Sequence, residues 1–199
     1  MSAGARPAHG AEAPAGLSAH ADELLGVAHA AIDHGLAHGE PPALDPRAYP
    51  APLQAERAAF VTLLDGSGGL RGCIGSIEAQ RPLVADVSEN AFAAAFRDPR
   101  FPPLAPAERP GLACRLSVLT PPEPLPFADE DDLLARIEPG VDGLLIESGR
   151  RRGTLLPAVW EQLPEPLAFW RTLKRKAGLD MDEFPADLAV YRYRAESLG

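Results

Sequence analysis

Apolar residues recur at helical spacing from Leu17 to about His38, with Leu24, Leu25, Ala28, Ala31, Ile32 and Leu36 along one stripe. Ser18 is placed to cap the start, and Gly35 and Gly39 mark the end. The proline-rich link EPPALDPRAYPAP follows and is expected to be extended. In AAFVTLLDGSGGLRGCIGSI, two short β-type runs flank a turn-rich centre, the pattern of a hairpin with a longer loop. RPLVADVSENAFAAAFRDPR reads as a helix apolar around most of its circumference and therefore largely buried. Pro99 biases Asp98 away from helical geometry and stops it. LACRLSVLT alternates, placing Leu112, Cys114, Leu116 and Val118 on one face and Arg115 and Ser117 on the other. A short acidic-capped helix comes next, then a second hairpin around Ser148 to Arg150. Two helical runs, PAVWEQL and PLAFWRTLKRKAGL, precede a last alternating strand, LAVYRYR. In the second run RTLKRK lies opposite Leu167, Trp170 and Leu173, as the polar face of an amphipathic helix would, and Gly178 closes it. Helices interspersed with antiparallel pairs predict an α+β fold, a mixed or antiparallel sheet with packed helices.

Composition narrows the classes. A chain of 199 residues, 46% of them hydrophobic, is long enough for one core or for one compact domain in two lobes. The small, polar, proline-bearing start predicts a disordered tail over 1–17 and a folded domain over 18–199. It lacks the apolar centre of a secretion signal, and no later run reaches the ~18 residues of a membrane span. A net charge of −9 argues against general affinity for nucleic acid or anionic membrane. Two cysteines make neither a disulfide scaffold nor a four-thiolate zinc site, so a cytoplasmic protein with reduced thiols is expected. No cofactor-binding loop is evident. His34 and His38 have a spacing that can hold zinc, but Gly35 and Gly39 end the helix there and no Glu follows His34, so no metal site is expected.

Candidate chemistry centres on Cys73, set among glycines two residues after Arg71. Strand alternation places Arg71, Cys73, Gly75 and Ile77 on one face, with Gly75 leaving open space. A guanidinium beside a thiol favours the thiolate, the form that attacks electrophiles. The same glycines also suit a β-bulge or a tight sheet corner. A nucleophilic cysteine needs a base, usually histidine. All five histidines, His9, His20, His29, His34 and His38, precede the hairpin, and only His29 is placed to reach a cleft. Cys114 fits the apolar face of its strand. In FRDPRFPPL, polar residues between rigid prolines suit a groove as well as a surface strap. Asn90 needs hydrogen-bond partners if buried. Arg150 to Arg152 and Lys174 to Lys176 would form a basic patch only if they met on one surface.

The blocks FVTL…LRGCIGSIEAQRPL, NAFAAAFRDPRFPPL, LSVLTPPEPL and LLIESGRRRGTLLPAVW…LKRKAGL together resemble the AMMECR domain family, over about Leu24 to Tyr193. Its prokaryotic members are called AmmeMemoRadiSam system protein A. LRGCIG, Leu70 to Gly75, is similar to the family signature. The resemblance implies two lobes with the signature near a cleft between them, and a Memo-like protein and a radical SAM protein as partners. It implies no established reaction. The positions it singles out are Arg71, Gly72, Cys73, Gly75, Asp98, Arg100 and Phe101. Two roles stay open: a binding or accessory component for those partners, or a cysteine-dependent enzyme acting on a small molecule, protein or RNA. In the latter, Cys73 would attack or carry a group, Arg71 would steady its thiolate or hold an anionic substrate, and amides near Gly72 and Gly75 would hold developing negative charge.

Overall fold

A computed structural model describes residues 17–199. Residues 1–16 of the expected tail lie outside them. Leu17 is buried and opens a helical turn, its N–H donating to Glu196 Oε2 at 3.2 Å. Helix α1 spans Ala21–His38 and ends where Gly39 takes a φ of 76°, the left-handed cap that glycine adopts without strain. Gly35 lies within the helix rather than at its end, under the rings of Phe92 and Phe96. Ser18 does not cap it, because the turn at Leu17–His20 intervenes.

A one-turn helix α2, Ala51–Gln54, leads into strands β1, Ala59–Leu64, and β2, Leu70–Gly75. Helix α3, Leu83–Phe96, and strand β3, Ala113–Leu119, follow. The second half holds β4, Glu123–Pro124; α4, Glu130–Arg136; β5, Gly143–Ser148; and β6, Arg151–Leu155. It continues with α5, Pro166–Lys176, and β7, Ala189–Tyr193, and closes with β8, Ala195–Leu198. The strands form two antiparallel four-stranded sheets, ordered β2-β1-β3-β8 and β4-β7-β5-β6.

Each sheet has its own core. Val61, Leu63, Cys114, Leu116 and Val118 point inward from the first sheet onto Leu24, Ala28 and Ile32 of α1 and Leu83, Val87 and Ala94 of α3. Each large aliphatic side chain so buried contributes roughly 1.5–3 kcal/mol. Leu144, Ile146, Trp160, Phe169, Trp170 and Leu173 build the second. Where the sheets meet, Ala58, Leu119, Leu145 and Tyr193 form a small apolar seam with Phe60 against it. The chain passes between the lobes after β3 and between β7 and β8, and the two passages are tied together. Thr120 N–H donates to the Arg194 carbonyl and Arg194 N–H to Thr120 Oγ1, both at 2.8 Å.

Candidate functional site

Strand β2 is an edge strand, and Cys73 sits in it directly opposite Thr62 of β1. Both backbone polar atoms of Cys73 turn outward, away from β1. Its N–H donates to Asp98 Oδ2 at 2.8 Å, and its carbonyl accepts from Arg100 Nη2 at 3.1 Å. In an antiparallel ladder such a pair is the non-hydrogen-bonded kind, whose side chains approach most closely. Thr62 Oγ1 accordingly donates to Cys73 Sγ at 3.3 Å. The sulfur is half-buried on the face opposite the helices, and Cys114 is buried on the other face. Burial pushes the Cys114 thiol up to about 12, which keeps it protonated.

The segment after α3 supplies the cap on this edge. Asp98 is buried, yet it accepts from Cys73 N–H, from Arg100 N–H and twice from the Arg100 guanidinium. Those bonds, with Arg100 the largest influence, hold its carboxyl well below the ordinary carboxylate range. Arg100 is itself exposed and held firmly charged, chiefly by Asp98 and in smaller measure by Cys73. Two side chains thus do the work of a neighbouring strand and cover an edge that would otherwise invite pairing.

Arg71 does not share that arrangement. The register runs Leu63↔Gly72 and then Leu64↔Leu70, so Arg71 is the extra residue of a β-bulge and the simple alternation breaks there. Its buried guanidinium donates to Glu108 Oε1 at 2.6 Å, to Glu108 Oε2 at 3.2 Å and to the Pro102 carbonyl at 2.9 Å. Among the described residues it makes no hydrogen bond to Cys73. The cation beside the cysteine is Arg100, not Arg71. Phe101 lies between the two arginines, its ring centroid 5.8 Å from Arg71 Cζ and 5.6 Å from Arg100 Cζ.

The glycines likewise serve packing. A Cβ at Gly72 would come within 2.2 Å of the Ala94 carbonyl, so β2 lies on α3 only because Gly72 has none. Gly75 leaves no vacancy: Phe60, paired with it, fills the space, its ring 2.3 Å from where a Cβ would stand. With Cys73 turned outward, the Gly72 amide belongs to the β1 ladder, which removes it as an oxyanion donor.

Beneath the hairpin lies a buried polar network. Asp86 accepts from Ala59 N–H and the Ser76 hydroxyl, and Asn90 donates to Ala59 O, Ser76 Oγ and Asp86 Oδ2. Burial, the largest influence, raises the Asp86 carboxyl above its usual range. Asn90 therefore satisfies the β1–α3 junction.

The described histidines stay away from Cys73, because α1 packs on the opposite face of the sheet. His34 Nδ1 donates to the Glu40 carbonyl at 2.8 Å and its ring lies 4.3 Å from that of His38. Among the described residues, no group of three or more His, Cys, Asp or Glu is placed to hold a metal ion. No helix among them is long and apolar enough to cross a membrane.

Two other expectations change. Lys174 is wholly buried rather than on a polar face, its Nζ bonded to Glu130 Oε1 at 2.7 Å. Arg151 pairs with Glu183, and Arg152 with Glu78 and Glu147. Those carboxylates balance the two guanidiniums.

Clefts lie where the lobes meet and on the second lobe. One of about 770 Å³ is lined by Ser117 and Ser197 from the first sheet and by Pro157, Trp160, Glu161 and Arg194. Another, about 300 Å³, runs between Ile77 and Glu78 just past the hexapeptide and Arg152, Thr154 and Tyr193. A third, about 870 Å³, lies between Leu125–Phe127 and Phe184–Pro185. Residues of LRGCIG line none of these three.

Thr62 and Glu108 were not legible as partners in the sequence. Thr62 needs the hairpin register, and Glu108 lies 37 residues from Arg71.

The family described as AMMECR1 matches residues 25–198. A protein of Methanothermobacter thermautotrophicus is 41% identical over 177 residues, covering 87% of this chain and 90% of its own length. One from Thermotoga maritima is 38% identical over 151 residues, 74% of this chain and 80% of its own. The crystal structure of an uncharacterised protein from Pyrococcus horikoshii superposes with a TM-score of 0.72 at 33% identity, covering 90% of this chain and 91% of that one.

Proposed function

Because the chain belongs to the AMMECR1 family, we propose that it is an accessory binding component that docks a Memo-like protein and a radical SAM protein. Its docking surface is the capped edge of β2: Cys73, Asp98, Arg100 and Phe101, with Leu70 beside them. The observation that carries this reading is the way Asp98 and Arg100 fix the backbone of Cys73 while leaving its side chain half-buried on the sheet face away from the helices. An exposed arginine held rigid by a buried carboxylate, beside the exposed Leu70, is the mixture of oriented charge and apolar area found at contact surfaces. The absence of a histidine on this side of the sheet, among the described residues, favours binding over catalysis.

Co-purification with the two partner proteins tests it. Leu70→Glu, a surface change, is expected to weaken the complex at least tenfold with an unchanged melting midpoint, and Cys73→Ser to weaken it less. Undiminished complex formation by Leu70→Glu would remove this face as the docking surface.

A cysteine-dependent enzyme is the second reading, favoured by the Thr62 hydroxyl on Sγ and by Arg100 nearby. Alkylation of the native protein by iodoacetamide decides it. A Cys73 rate above that of glutathione at neutral pH would support the enzyme, and an equal or slower rate would exclude an activated nucleophile.

A further inference from the structure

On the second lobe, the cleft of about 870 Å³ is a groove with exposed walls: Pro124, Pro126, Ala128, Phe184 and Ala186 all lie on the surface. Three stretches line it, residues 124–128, 184–186 and 188–191, the last running into β7. The first stretch diverges from β7 early, because β4 pairs only through Glu123 and Pro124. The Leu125 N–H adds one bond, to the Val190 carbonyl at 2.8 Å. Phe127 and Phe184 meet edge-to-face with ring centroids 5.6 Å apart, which ties the first stretch to the second. Pro124, Pro126 and Pro185 fix φ along both, so the groove is shaped before anything enters and little is lost in ordering it.

No charged side chain lines the groove, yet carboxylates stand at the ends of every stretch that does. Glu123 precedes Pro124, Asp129 follows Ala128, Glu183 precedes Phe184, and Asp187 separates Ala186 from Leu188. Asp132 reaches back to accept from the Ala128 N–H at 2.9 Å. Arg151 pairs with Glu183 and Arg136 with Asp132. Glu123, Asp129, Asp131, Asp182 and Asp187 have no cation within 4 Å among the described residues. Apolar surface is uncovered here too: Met181, just before this rim, is 53% exposed and Phe184 itself 36%. An aromatic and proline centre inside a charged rim is the anatomy of a contact surface.

A small-molecule pocket encloses most of its ligand, whereas a groove with exposed walls suits a polypeptide segment laid across it. The rim sets the sign of that segment's charge. We propose that the groove receives an extended segment of a partner protein, with bulky apolar side chains between flanking arginines or lysines. The apolar side chains pack on Phe127, Phe184 and Tyr191, and the cations meet the carboxylates of the rim. Residues of the β2 edge do not line this groove, so it stands whether or not the partners dock on that edge.

Calorimetric titration of the full chain with acetyl-RLALR-amide, acetyl-ELALE-amide and acetyl-RSASR-amide tests it. Saturable binding of the first is expected, with the other two about tenfold weaker or more. Its affinity should fall in ~1 M salt, where the Debye length shrinks to about 3 Å. Phe184→Ser should weaken the first peptide about tenfold or more, and Asp182→Lys by a smaller factor. Leu167→Ser, which changes an exposed leucine on α5 away from the groove, should leave it unchanged. Unchanged melting midpoints verify that the variants are folded. No saturable binding of the first peptide up to millimolar concentration would overturn the proposal. So would equal binding of either control peptide, or indifference to Phe184→Ser. A dimer of the free chain that Phe184→Ser dissolves in sedimentation would overturn it as well, by giving the groove to a second copy.

Discussion

Cys73 owes its fixed position to Asp98, 25 residues further along the chain, and Asp98 in turn owes its charge to Arg100. The sign of the resulting pH dependence follows from the depressed Asp98 carboxyl. Its stabilisation is fully present above the unfolded value of about 4 and fades as pH falls toward the lower folded value. Asp98→Asn is expected to cost about 1–3 kcal/mol at neutral pH, the range for disturbing hydrogen bonds to a buried group. Urea unfolding of both proteins from pH 7 down to pH 2.5 should show that gap narrowing below about pH 4. A gap that stayed constant would mean that Asp98 is not held charged by Arg100. Asp86 has the opposite sign, since burial raises its carboxyl and the stabilising form is the protonated one at low pH.

Elements show how far a pattern of apolar positions reaches. Helix α5 forms where its periodicity predicts, but one of its lysines goes inside, because Glu130 at the start of α4 accepts from both Lys174 and Trp170, its neighbour one turn earlier on α5. Glu130→Ala leaves that ammonium buried without its carboxylate and is expected to cost ~3 kcal/mol in urea unfolding. Lys174→Met added to it should recover most of the loss; a double variant no more stable than the single would assign the cost to α4 itself. Both hairpins, α1 and α3 were legible because their spacing or turn residues are local. A bulge was one reading of the glycines there, but its place at Arg71 was not legible, since it depends on how β1 and β2 align across the Asp65–Gly69 loop. Strand β8 was missed for a related reason: AESL has little β pattern of its own, and its partner β3 lies some eighty residues earlier. The Cys73–Asp98–Arg100 group fell within the residues singled out from sequence, but the exchange of Arg71 for Arg100 beside the thiol needed three dimensions.

At the scale of the whole molecule, two separately packed lobes meet at a small apolar seam and are joined by two hydrogen-bonded passages. The proposed docking function sits on an outward edge of this architecture. The capped edge of β2 is the part that the docking account depends on. Amide hydrogen exchange, with and without the Memo-like protein and the radical SAM protein, measures it directly. Added protection over residues 70–77 and 98–104 is the predicted result. Protection confined to α1, or to α4 and α5, with the β2 edge exchanging as it does in the free protein, would contradict it.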